Sequence, residues 1–120
     1  MKIPVRNSLH DLAEIREVLN LITAELLHSY NVKDLDKCTD IFNLQCIIHR
    51  LQNKILTLSH RHRSYKTKHW ITLPELATVA RVVEAYCFRL DPYYQVVLRE
   101  NLFNQAYQVY YSLHNTKVKQ

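Results

Sequence analysis

Ile41-Phe42-Asn43-Leu44-Gln45-Cys46-Ile47-Ile48-His49-Arg50-Leu51-Gln52-Asn53-Lys54-Ile55-Leu56-Thr57-Leu58 is the stretch that decides the fold class. Ile41, Ile48 and Ile55 stand seven apart, and Leu44, Leu51 and Leu58 follow them by three residues. That spacing is the a/d seam of an α-helix. Phe42, Ile47 and Leu56 widen the seam. At about 100° per residue the apolar arc passes half the circumference. Such a helix is central in a bundle or lies in an oligomer interface. The seam is read as bundle core, with Phe42 and Leu56 as extra surface for dimerisation. Gln45 and Gln52 fall within the arc, and each needs a hydrogen-bond partner if buried. The predicted helix covers 36–60, with 31–35 as a short connection.

The neighbouring segments repeat the theme. Ser8 is an N-cap candidate with Asp11 in the first turn, and Leu12, Ile15, Leu19, Ile22 and Leu26 share one face. A helix over 8–30 follows. Thr72 and Glu75 form a capping box around Pro74, opening a helix over 72–90 with Leu73, Leu76, Ala80, Val83, Cys87 and Leu90 on one side. Asp91-Pro92 ends it and caps the next helix, 92–114. That last helix carries one stripe of Val96, Phe103, Tyr107 and Tyr110 and another of Leu98, Leu102, Val109 and Leu113. Residues 115–120 are predicted to fray. Residues 60–71 lack apolar periodicity and are predicted to be a basic linker. The expected fold is therefore all-α: four long helices, as two helical hairpins in a small bundle, in one domain over 1–120. A sharp Asp91-Pro92 junction separates the third and fourth helices.

Composition narrows the function. The chain of 120 residues contains no Gly, so Gly-rich phosphate loops and dinucleotide-binding turns are absent. This argues against most nucleotide-dependent enzymes. Cys38, Cys46 and Cys87 do not make a disulfide framework and are read as reduced thiols. The N-terminus lacks a signal-peptide pattern and no run reaches membrane-span length, so a cytoplasmic protein is expected. Net charge is +5, and from Ile41 to Pro74 there is no acid at all. The basicity belongs to the middle of the chain.

Two surfaces emerge as candidates. The last helix concentrates tyrosines beside amides, a composition that suits a protein interface. Its expected contact residues are Tyr93, Tyr94, Asn101, Asn104, Gln108 and Tyr111. The basic stretch, with Arg61, Arg63, Lys66, Lys68 and Trp70 extended by Arg50 and Lys54, is the candidate for nucleic acid: cations neutralise phosphates while Trp70 and Tyr65 stack on bases. No metal site is expected, because Cys46, His49 and the linker histidines lack paired ligand spacing. No cofactor is expected either.

Arg63-Ser64-Tyr65-Lys66-Thr67-Lys68-His69 resembles the Arg-x(4–6)-His motif of HEPN ribonucleases, which are small helical bundles. The resemblance spans seven residues. It implies Arg63 stabilising phosphate charge and His69 moving a proton at an RNA 2′-hydroxyl. The leading expectation is instead a non-enzymatic helical interaction module that binds a protein partner or self-associates. Nucleic-acid binding is the alternative, and the HEPN-like ribonuclease ranks third.

Overall fold

The computed structural model describes residues 1–29 and 32–119; for 116–119 only the backbone course is described. Helices dominate, as the periodicity predicts. The additional feature is a two-stranded antiparallel ribbon.

Strand β1 (Lys2–Ser8) opens the chain and ends at Ser8, which caps α1 (Leu9–His28). The Ser8 hydroxyl accepts from the Asp11 N–H at 3.1 Å, and the Asp11 carboxylate accepts from the Ser8 N–H at 3.4 Å. Two donors orphaned by the helix start are thereby satisfied. Tyr30, the expected end of this helix, lies outside the described residues. Helix α2 (Leu35–Thr57) begins behind Asp34, whose side chain accepts from the Lys37 N–H. The expected continuation to His60 is replaced by turns after Thr57.

Residues 60–71 are not the simple linker expected. Strand β2 (Lys66–Thr72) forms there and pairs with β1 from Lys2↔Thr72 to Ser8↔Lys66. Period-2 alternation turns Ile3, Val5 and Asn7 inward together with His69 and Ile71. Only Ile71 is aliphatic among the inward residues of β2, so the strand carries no apolar run. Pro4 is tolerated because both strands are edges.

Thr72 then caps α3 (Leu73–Tyr86) through the capping box with Glu75. The helix stops four residues short of the expected 90 and tightens into a 3₁₀ turn, Cys87–Arg89. Asp91 accepts from the Tyr93 N–H and starts α4 (Pro92–Leu98). The expected single helix 92–114 is interrupted by a π-helical turn, Arg99–Phe103. It resumes as α5 (Asn104–Lys119). The segment expected to fray is helical as far as Lys119, and Gln120 lies outside the described residues.

Helices α1 and α2 pack together, α3 lies on α2, α4 on α1, and α5 against β1. Ile41, Leu44, Ile47 and Leu51 of the heptad helix are buried, and Ile48, Ile55 and Leu58 pack half-buried around them. They meet Leu12, Ile15, Leu19 and Ile22 of α1 and Leu98 and Leu102 near the π turn in one core. Gln52 finds its partner in Arg16 Nη1 at 2.6 Å, whereas Gln45 is exposed. Between α2 and α3, Asn43 donates to Thr78, and Thr78 donates to Asp40, which also pairs with Arg81. No helix among the described residues is long and apolar enough to cross a membrane.

Ile3 is fully buried although it is only the third residue of the sequence. Ile3→Ala is expected to cost roughly 2–5 kcal/mol, the range for truncating a core Ile, in urea denaturation. A loss no larger than that of an exposed substitution would show that β1 is not docked.

Candidate nucleic-acid interface

Because the inward positions of the ribbon are taken by Ile3, Val5, Asn7, His69 and Ile71, the intervening residues must face out. On β1 these include Lys2 and Arg6, and on β2 Lys66, Lys68 and Trp70, all exposed. Arg6 sits directly opposite Lys68, and Lys2 lies opposite Thr72. Neither strand contains an Asp or Glu. Lys68 Nζ lies 5.4 Å from the Trp70 ring centroid, within cation–π range. Trp70 still leaves 44% of its surface open. Lys2 and Arg6 were missed from sequence. The available signal was the Ile3–Val5 alternation, too short to define a strand without its partner.

The turn before β2 holds Arg61 and Arg63, both exposed. Arg61 covers the Tyr65 ring at 4.9 Å. The backbone of this turn is anchored: the carbonyls of Arg63 and Tyr65 accept from the N–H groups of His10 and Leu9. These are first-turn donors of α1, which no carbonyl of that helix can satisfy. The connection is therefore a built cap over α1, with its guanidinium groups left outside.

Arg50 has a structural post. Its guanidinium pairs with the buried Glu75 carboxylate, with Nη1 2.8 Å from Oε2, and Nη2 donates to the Trp70 carbonyl at 3.4 Å. Burial alone pushes the Glu75 carboxyl up. Hydrogen bonds from Arg50 and from the Thr72 N–H, with the Arg50 charge, outweigh it and hold the carboxyl below its ordinary value. Arg50 thus ties α2 to the start of α3 and to the open edge of β2.

Lys54 lies one turn along α2, at a cleft of about 330 Å³ between α2 and β2. Ile47 and Leu51 contribute apolar wall, and Arg50, Asn53, Lys54, Thr57, His69 and Trp70 complete the lining. His69 Nε2 is 2.7 Å from Asn7 Oδ1, and Asn7 Nδ2 donates to the Asn101 carbonyl of the π turn at 2.9 Å. The second bond orients the Asn7 amide, so Nε2 must carry the proton and Nδ1 the lone pair. Nδ1 has no hydrogen-bond partner among the described residues. Burial, reinforced by the charges of Lys54 and Arg50, lowers the His69 pKa from 6.5 to about 4. The imidazole is neutral at pH 7. Arg63 and His69 are divided between the exposed turn and the inward face of the ribbon.

The last-helix candidates are dispersed. The Tyr93 hydroxyl donates to Glu14 and the Tyr94 hydroxyl to Glu17 at 2.8 Å, fastening α4 to α1. These bonds raise both phenol pKa values. The Asn101 carbonyl holds Asn7, Gln105 accepts from the Arg6 N–H, and Asn104 donates to Glu100. Gln108 and Tyr111 are exposed. Tyr111 stacks on Tyr107 at 6.1 Å, and Tyr107 on Phe103 at 5.7 Å. Among the described residues no group of three or more His, Cys, Asp or Glu is placed to hold a metal ion.

His69 makes stability depend on pH. Below 6.5 the unfolded chain binds a proton at this site that the folded chain refuses until about pH 4. Stability therefore falls as pH drops from 6.5 towards 4, by roughly 3 kcal/mol for a shift of this size. Urea unfolding across that range is expected to show the slope in the parent protein and to lose most of it in His69→Gln. Equal slopes in both would place the titration elsewhere. No protein-family model, curated protein or solved structure matches the chain.

Proposed function

We propose that the protein binds single-stranded nucleic acid across the outer face of the β1–β2 ribbon. The observation that carries this reading is the cross-strand pair Arg6↔Lys68 in a ribbon without a single acid. Like charges placed directly opposite destabilise a ladder, and a phosphate backbone relieves that repulsion. Edge protection, the other common use of strand lysines, is already served: Gln105 takes the Arg6 N–H and Arg50 takes the Trp70 carbonyl. Trp70 and Tyr65 offer exposed rings among the cations, the arrangement that favours unpaired bases over duplex.

A second reading has its own observation. The stacked ring ladder Phe103–Tyr107–Tyr111 on α5 leaves Tyr107 and Tyr111 about half exposed, and exposed tyrosines of this kind favour protein contact. Sedimentation velocity tests self-association through it. Tyr107→Ser with Tyr111→Ser should dissolve any oligomer of the parent protein, and a monomeric parent would remove self-association from this reading.

Fluorescence anisotropy with a labelled single-stranded oligonucleotide tests the leading proposal. Four phosphate contacts on a single strand give a log–log salt slope near −3, or about fifty-fold weaker binding from 50 to 200 mM salt. Changing Lys2, Arg6, Lys66 and Lys68 to Gln together should abolish measurable binding. Binding that survives those changes would place the nucleic acid elsewhere, and no binding by the parent protein at low salt would end the proposal.

A further inference from the structure

We infer that the α2–β2 cleft is a pocket for one nucleotide, its base against Trp70 and its phosphate at Lys54. The inference rests on the ribbon reading for its source, a strand laid across β1–β2 that turns one base in at the edge of β2.

The place of the cleft in the fold supports this. It opens where an outward residue of β2, Trp70, and an inward one, His69, both line the same space. The cleft is therefore continuous with the basic outer face and yet reaches the apolar side chains Ile47 and Leu51 of α2. Its volume of about 330 Å³ is at the lower end of small-molecule sites, which are mostly apolar with a few fixed polar groups. Arg50 is committed to Glu75, which leaves Lys54 as the lining cation without an ion pair among the described residues. The neutral His69 ring, oriented through Asn7 onto the π turn, offers Nδ1 as an acceptor. An acceptor fixed beside an aromatic ring suits a base edge that presents an N–H donor, such as the exocyclic amine of adenine or cytosine. Lys54 supplies the complementary charge for phosphate.

The protein has one tryptophan, Trp70, so its emission reports on the ring shared by the cleft and the ribbon face, and Thr57→Phe, which touches only the cleft, separates the two. AMP and CMP are expected to quench it saturably, while inorganic phosphate and ribose 5-phosphate leave it unchanged. N-acetyltryptophanamide serves as the collisional control. Lys54→Gln should weaken AMP about tenfold, the size of one lost charge-assisted hydrogen bond. Thr57→Phe, at an exposed lining position, should fill the mouth and abolish saturable quenching with the circular dichroism unchanged. On oligonucleotides, the parent protein should prefer a base-bearing strand to an abasic one, and Thr57→Phe should narrow that preference to what stacking on Trp70 and Tyr65 at the ribbon face supplies. Quenching no stronger than the collisional control, or unaffected by Thr57→Phe, overturns the pocket; continued salt-dependent strand binding would then leave the ribbon reading standing. Saturable AMP quenching lost in Thr57→Phe, from a protein that binds no oligonucleotide, upholds the pocket and makes its ligand a free nucleotide.

Discussion

Pairing of Lys2–Ser8 with Lys66–Thr72 is the constraint on which the surface of this protein depends. It joins segments such as Asn7 and His69 that lie 62 residues apart in sequence. Loop closure over that separation costs entropy, and the return is burial of Ile3, Val5 and Ile71 in the helical core. Because side chains alternate strictly along a strand, burying those three fixes where every neighbour points. A slip of either strand by one residue would turn its outward cation, Arg6 on β1 or Lys68 on β2, into the core. The cationic outer face is therefore a geometric consequence of the inward apolar set, and its register is as firmly specified as the core itself.

The same pairing sorts the cations by task. Arg50, which sequence position alone groups with the basic stretch, is drawn into an ion pair with Glu75 and a bond to the Trp70 carbonyl. Glu75 is buried, and a buried carboxylate without a partner is costly, so Arg50 is the residue least available to a ligand. Arg61 and Arg63 sit on a turn whose carbonyls cap α1. Their backbone is fixed and their charges project. Lys2, Arg6, Lys66 and Lys68 have no carboxylate neighbour on either strand. Charge count in the sequence treats all these residues alike; the hydrogen-bond demands of helix ends and buried acids separate them.

Helical features were legible because their signals are local. The Ile/Leu heptads of α2, the boxes Ser8–Asp11 and Thr72–Glu75, and the Asp91-Pro92 cap each lie within one or two turns. The ribbon was not, for two physical reasons. β2 turns His69 inward, a residue that apolar periodicity does not count. β1 has only Ile3 and Val5 to announce it and gains meaning from a partner far along the chain. The π turn at Arg99–Phe103 left no mark either, since Leu98, Leu102 and Val109 fit an uninterrupted helix almost equally well. Tyrosine enrichment in the last helix was visible, but enrichment does not reveal that Tyr93 and Tyr94 spend their hydroxyls on Glu14 and Glu17.

The π turn and His69 belong to one connected arrangement. A π turn shifts the helical register, so that α5 meets β1 with Gln105 on the Arg6 N–H while the Asn101 carbonyl meets Asn7. Asn7 has both an acceptor and a donor to place, and it bridges that carbonyl to the His69 N–H. Burying a histidine in its charged form beside Lys54 and Arg50 would be costly; burying it neutral, with its one proton assigned by Asn7, is not. The helix irregularity, the buried amide and the imidazole therefore support one another. Their joint effect is to set an uncharged, oriented ring at the boundary between a cationic face and an apolar cleft.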